Sequence, residues 1–463
     1  MTTTAPGPRS VPLHADGREV RKGMALAVLA ISQLMVVLDA TIVNVALPDI
    51  ARALDVTSQN DLSWIATGYT LTFGGFLLLG GKLADRLGRR RVFLIGAVLF
   101  AVASLLGGLA GDLGLLIGAR LVQGLGGALM SPAALSLLTV VFEEGEERNR
   151  ALGIWAAITA GGAAVGLILG GVLTEYASWR WVLFVNVPIA VVAVLGTLRY
   201  VPESRDERAR GFDEPAGALL AAFVAVQRRA AEPLVDFRLF RSRTLLGADL
   251  GALFVGAGIF AVFFFMILWM QQINGYSPVR SGFAFLPMTL CIGVAAGLGS
   301  QLLGRIGPRP LLIGGPALSA VGMLSLGLRL EPTSSYTTVV LPSLVLLALG
   351  MGFTFVALTS SAVAGVPPED AGVASALLNA GQQVGGALGL AILTAVSTVR
   401  TEALGVGAPG TPQSVASLVE GWGAGFLVAA AFLATAGIIA ASLVRVSKED
   451  AAAALKEAGA AAG

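Results

Sequence analysis

Gly80-Gly81-Lys82-Leu83-Ala84-Asp85-Arg86-Leu87-Gly88-Arg89-Arg90-Arg91 sets five basic residues and one aspartate between two apolar runs. The runs, 62–79 and 92–109, are each long enough to cross a hydrocarbon core of about 30 Å as a helix. Lys and Arg beside a membrane helix resist translocation, so the turn belongs on the cytoplasmic side. Its glycines let two helices turn sharply and pack closely. The stretch predicts a helical membrane protein and fixes the side of one loop.

Composition extends that reading to the whole chain. Apolar residues make up 55% and charged residues 13% of 463, with a mean hydropathy of +0.80. Soluble domains carry roughly 25% charge. The 60 glycines suit helices that pack backbone to backbone in lipid. Cys291 is the only cysteine and reads as a small packing residue, with no internal disulfide possible. The single histidine, His14, lies in a polar Pro/Gly-rich tail, which speaks against a metal site or histidine-based catalysis. No cleavable signal peptide is expected, because the first apolar run is long and lacks a small-residue cleavage pattern. A Gly-rich loop ending in Lys-Ser/Thr is absent, which disfavours direct ATP drive. No nucleophile–base pair appears either, so an enzyme is not expected.

Apolar segments fall near 24–47, 62–80, 92–110, 113–138, 151–173 and 181–199, and again near 245–270, 283–303, 311–328, 339–363, 373–397 and 422–444. They read as two groups of six spans. With both ends in the cytoplasm, 25 of the 31 Lys and Arg fall on that side. Arg52, Arg180, Arg280, Arg329 and Arg400 fall outside, and Arg120 lies within a span. An odd span count would spoil this separation. The groups also echo one another at an offset near 220: Leu83–Arg90 against Leu302–Arg309, and Gly124-Leu125-Gly126 against Gly350-Met351-Gly352. The second copy of the charged turn lacks the aspartate and most arginines.

The spacing of Gly81, Asp85, Arg86, Gly88, Arg89 and Arg90 resembles the loop between the second and third helices of major facilitator superfamily transporters. Leu38-Asp39-Ala40-Thr41-Ile42-Val43-Asn44-Val45-Ala46-Leu47-Pro48 and Trp179-Arg180-Trp181-Val182-Leu183-Phe184-Val185-Asn186-Val187-Pro188 resemble the fourteen-span drug:proton antiporter branch. That branch carries two extra helices between its halves. Here Gly211–Glu214 resembles the start of that pair and Phe223–Leu234 its end, with almost nothing between. The apolar remainder 216–226 is only about 16 Å long as a helix. The expectation is therefore an all-α fold of two six-helix bundles with twelve spans. A cytoplasmic tail (1–22) precedes the first bundle (23–200), a shortened linker (201–243) leads to the second (244–445), and another tail (446–463) follows. The resemblance implies a multi-pass protein of a bacterial cytoplasmic membrane, acting as a monomer on small molecules and protons. It implies a proton gradient in place of a cofactor, and no nucleic-acid partner.

Asp39 interrupts an apolar span, where a carboxylate usually marks a proton or ion site. It lies about 12 Å below the outer end of its helix, and Arg120 about 10 Å into the fourth, so the two share a depth. They read either as a static ion pair or as a proton-coupling pair. In relatives, the arginine matching Arg120-Leu121-Val122-Gln123-Gly124 is implicated in coupling. Asp249, near the cytoplasmic end of the seventh span, is a candidate second proton or cation site, while Glu175 reads as interfacial. By resemblance, Asp85, Arg86, Arg89 and Arg90 form a cytoplasmic gate that holds the outward-facing state closed. Gly162, Gly166, Gly170 and Gly171 resemble the antiporter glycine motif of the fifth helix, although Leu167 replaces its usual proline. Candidates for a substrate cavity are Asn44, Trp64, Tyr69, Gln123, Trp155, Phe264, Trp269, Phe353, Asn379 and Gln383, with Gln382 beside them.

These features predict a proton-coupled exporter of lipophilic drugs or antibiotics working by alternating access. The alternatives are a narrow-specificity metabolite exporter or symporter of the same fold, and a non-transporting scaffold or sensor. A buried charge pair argues against the last.

Overall fold

The computed structural model describes residues 21–142, 146–204, 242–363, 371–405 and 411–444. These form twelve long helices. The first half holds α1 (Lys22–Ala53), α2 (Gln59–Leu87), α3 (Arg89–Gly108) and α4 (Leu113–Val141). It is completed by α5 (Glu146–Tyr176) and α6 (Trp181–Tyr200). The second half holds α7 (Arg243–Ile273), α8 (Pro278–Ile306), α9 (Pro308–Arg329), α10 (Tyr336–Ala362), α11 (Val373–Ala403) and α12 (Pro412–Leu443). Eleven carry an apolar stretch of membrane length, and α5 carries a shorter one, Gly161–Tyr176, within its 31 residues. The expected linker remnant and both tails lie outside the described residues.

Helix starts follow local chemistry. Ser58, Asp112, Ser242, Ser277 and Thr411 each accept a backbone N–H from the first turn of the helix they precede. Pro278, Pro308 and Pro412 stand in first turns, where a missing N–H costs nothing. Helix α6 breaks at Val185, three residues before Pro188, and α8 breaks at Phe285, two before Pro287. Exposed Ile95, Val98 and Val102 on α3, and Leu290, Val294 and Leu298 on α8, lie at helical spacing. They form apolar stripes suited to lipid.

The charged stretch Gly80–Arg91 is not a loop. Helix α2 runs to Leu87 and α3 begins at Arg89, so Gly88 alone makes the turn, with φ of 108°. Gly80 instead lets the backbone of α2 approach Ala128 of α4.

Along their length the halves meet at α2 and α11, where Gly74 lies against Gln383. They also meet at the end opposite the charged turn, here called outer. Gln271 Nε2 donates to the Val45 carbonyl at 3.0 Å, and Trp422 Nε1 donates to Gln59 Oε1 at 3.2 Å. The Val279 N–H donates to Glu175 Oε2 at 3.0 Å, while Gly171 and Gly282 bring α5 and the start of α8 into backbone contact. The molecule is closed on its outer side.

Candidate functional site

Asp39 and Arg120 meet inside the first half. Arg120 Nη1 lies 2.5 Å from Asp39 Oδ2, with side-chain exposures of 1% and 0%. Helices α1 and α4 bring them to one depth, and three further helices complete the surroundings. Asn186 Nδ2, from α6, donates to Asp39 Oδ1 at 2.7 Å, and so does Gln123 Nε2, from α4, at 2.7 Å. Gln123 Nε2 also lies 2.7 Å from Ser104 Oγ on α3. Arg120 donates again, through Nη1 to Gln123 Oε1 at 2.8 Å and through Nε to the Ile65 carbonyl of α2 at 3.0 Å. Its guanidinium lies 4.3 Å from the centroid of the Tyr69 ring, whose hydroxyl donates to the Val36 carbonyl at 3.3 Å.

The site is a closed polar knot in which both Asp39 oxygens accept charge-assisted bonds. Removing either charge leaves the other buried and unpaired, an arrangement that costs about 3–5 kcal/mol. A proton reaching Asp39 neutralises the carboxylate and frees Arg120 from it. Sequence reasoning missed Asn186 and Ser104 as members. Asn186 had a signal, because it is an amide in the quoted Trp179–Pro188 stretch, two residues before Pro188 in an apolar run. Ser104, on an otherwise apolar helix, had none.

Other candidates fall in different places. Tyr69 and Gln123 belong to this knot, while Phe264 packs edge-on against Phe265 and is 1% exposed. Trp269 is fully buried and donates from Nε1 to the Glu331 carbonyl at 3.2 Å. These four lie in packed interior, not on an open wall, in this state. Asn44 and Asn379 turn their amides back to Ala40 and Ser375 of their own helices. Trp64 is exposed, Trp155 and Phe353 are half-buried against core residues, and Gln382 is half-buried. Gln383 faces α2 at the seam between halves. At the outer seam, Pro48, Arg52, Asp55, Gln271, Gln272 and Tyr276 help to line a cavity of about 660 Å³.

Asp85, Arg89 and Arg90 of the candidate gate bond within their own half. Arg89 pairs with Asp85 at 2.8 Å one helical turn away, and Arg86 occupies the last turn of α2. The Arg89 N–H donates to the Ser204 carbonyl at 2.9 Å and the Arg90 N–H to Glu203 Oε1 at 3.1 Å. Arg90 Nη2 donates to the Leu198 carbonyl at 2.9 Å. Glu203 thus sits at the positive N-terminus of α3. Gly81 lies beside Pro132.

Gly162, Gly166 and Gly170 of α5 lie against Val37, Leu38 and Ile42 of α1, while Gly171 meets Pro278. Sequence reasoning missed a second such row. Gly381, Gly385 and Gly389 of α11 lie against Asp249, Leu253 and Ala257 of α7, and each stands 219 residues after its counterpart in α5. The repeat is also better registered in space than in sequence. Gly126 packs on Gly96 and Phe100, and Gly350 packs on Gly315 and Ser319, so Gly126 matches Gly350 and the offset there is 224. The pairing of Gly124 with Gly350 is therefore corrected by two residues. Under these contacts Asp39, Arg120 and Gln123 correspond to Phe254, Leu344 and Leu347, so the second half fills the equivalent place with apolar side chains. Asp249 is 9% exposed, and neither carboxylate oxygen has a partner among the described residues.

Comparison with known proteins agrees with this architecture. The chain is 41% identical to the puromycin resistance protein pur8 of Streptomyces alboniger, covering 91% of each chain. It is 38% identical to the cephamycin export protein CmcT of Amycolatopsis lactamdurans, covering 85% of this chain and 87% of that one. It is 35% identical to the lincomycin resistance protein of Streptomyces lincolnensis, covering 82% and 85%. A bacterial homologue of the human lysosomal transporter Spinster, inward-facing and unoccupied, shares the fold. Its TM-score is 0.69 at 18% identity, over 94% of this chain and 98% of that one. The Major Facilitator Superfamily profile matches residues 29–390. With twelve helices in two related halves and a buried charge knot in the first, the chain belongs to the major facilitator superfamily, as a multi-pass membrane transporter of small molecules rather than an enzyme.

Proposed function

We propose that this transporter exports lipophilic, drug- or antibiotic-like molecules in exchange for protons. The observation that carries the coupling is the Asp39–Arg120 pair, fully buried and joined to five helices of one half. A charge pair at such depth is costly to keep and usually marks an ion pathway. Protonation of Asp39 from the outer side loosens Arg120, Gln123 and Asn186 together, and this releases the bundle to rock. Loss of the proton to the cytoplasm restores the knot. The named exporters and resistance proteins among the relatives support the cargo class.

The test is efflux from proteoliposomes under an imposed pH gradient, using puromycin, lincomycin, a cephamycin and chemically unrelated lipophilic dyes. Gradient-driven movement of several compounds is expected, and Asp39→Asn should insert normally yet lose the response to the gradient. Transport that ignores the gradient in the wild type removes proton coupling. Movement of one compound only favours the narrow exporter.

A further inference from the structure

Asp249 has an environment unlike that of Asp39. It sits on the face of α7 that packs against α11, where its carbonyl oxygen lies 3.3 Å from the place a Gly381 side chain would begin. Its carboxylate is buried, and neither oxygen is met by a donor among the described residues. Among the described residues, the helices around it bring no cation to the carboxylate. From α11 comes the Gly381 backbone, and the nearby Asn379 amide is turned to Ser375. From α10 comes Leu358, which lies against Gly251. From the end of α12 comes Leu443, followed by Val444, and both lie against Gly247. Of the described cations near this end, Arg243 is exposed at the start of α7, and Arg309 donates to the Ala441 carbonyl. Because α10 runs antiparallel to α7 past the Gly251–Leu358 contact, Ser361 stands at nearly the level of Asp249. Its buried hydroxyl is also unpartnered.

The repeat sharpens the contrast. Asp249 stands opposite Gly381, as the first-half residue Leu34 stands opposite Gly162, so this carboxyl has no counterpart in the other half. The second half likewise holds no equivalent of Arg120, because Leu344 fills that place. Calcium or magnesium would need about six oxygens and zinc about four ligands, and one carboxyl among apolar walls does not supply them. Asp249 lies six residues into α7, about 9 Å from its cytoplasmic end. That is close enough for proton exchange with the cytoplasm.

We propose that Asp249 is a second proton-binding site, carried by the half that lacks the charge knot, so that each export cycle returns one proton more than Asp39 accounts for. The assignment rests on the proton-coupled reading above. It also gives the second glycine row a role: the row lets α7 and α11 lie backbone to backbone and close this carboxyl from lipid.

Two measurements on the full chain decide it. Dicyclohexylcarbodiimide modifies protonated carboxyls in apolar surroundings. It should label Asp249 in the wild type, located by peptide mass mapping, with labelling that falls as pH rises and persists in Asp39→Asn. No labelling of Asp249 at any pH overturns the proposal, and this arm needs neither a cargo nor a functional variant. In proteoliposomes, the membrane potential that halts puromycin flux gives the proton count per puromycin. Asp249→Asn should lower that count by one and Asp249→Glu should restore it. An unchanged count in Asp249→Asn overturns the proposal, and weakened puromycin binding with that unchanged count would make Asp249 a site for the cargo's amine. A wild type indifferent to pH sinks the coupling reading instead, while labelling still judges Asp249.

Discussion

Arg120 divides its donors among a carboxylate, an amide and a helix carbonyl, and lays its plane on Tyr69. A lysine cannot reproduce that set, because its ammonium lacks the planar fork. Arg120→Leu should destabilise the protein by about 3–5 kcal/mol, since Asp39 stays buried without a counter-charge. The loss is read as a lowered melting temperature in detergent. Arg120→Leu combined with Asp39→Leu should recover much of it, and failure to recover would mean that packing, not charge, dominates. Asn186→Ala removes one donor from a charged acceptor and should cost about 1.5–3 kcal/mol in the same assay. The pair itself was legible in the sequence, because a charge in an apolar span is conspicuous and helix rise gives its depth. Gln123 stood out only as a cavity candidate, and Asn186 and Ser104 were not picked out as site members. Asn, Gln and Ser also serve helix packing in spans, and helix rotation decides which way they point.

Among the elements, the two glycine rows share one design. In both, a helix carrying glycines four residues apart lies against the helix that begins its half. Gly385→Val would drive methyl groups into the Leu253 backbone, and overpacking of this kind costs about 1–3 kcal/mol. Reduced export at normal insertion is expected, with Gly381→Ala milder because its nearest neighbour is 3.3 Å away. Gly88 is a different case. Its φ of 108° is open to glycine but strained for other residues by roughly 1–2 kcal/mol, and Glu203 crowds the same spot. Gly88→Ala should therefore loosen the α2–α3 corner, read as faster proteolysis there. The existence of these helices could be read from hydropathy alone. The single-residue turn at Gly88 could not, because a run of Lys and Arg looks like loop in a hydropathy profile while being compatible with helix.

For the whole molecule, twelve spans in two related halves were visible through charge sidedness and weak repetition, whereas the register between halves emerged only from packing. Its closed outer face gives a direct test of alternating access. Val45→Cys with Gln271→Cys joins α1 to α7 across the seam where Gln271 now donates to the Val45 carbonyl. Cross-linking should stop export, and a reductant should restore it. Export that continues while the link is intact would contradict rocking about this seam. Among the described residues, the hydrogen bonds across the seam are an amide on a carbonyl, an indole on an amide, and a backbone N–H on the Glu175 carboxylate. No pair of opposite full charges is among them. Raising salt shortens the Debye length from about 30 Å at 0.01 M to about 3 Å at 1 M, which weakens exposed ion pairs far more than bonds between neutral groups. The outer face should therefore stay closed across fresh and saline surroundings alike, which on the proton-coupled reading proposed above leaves the timing of opening to the proton inside rather than to the ions outside.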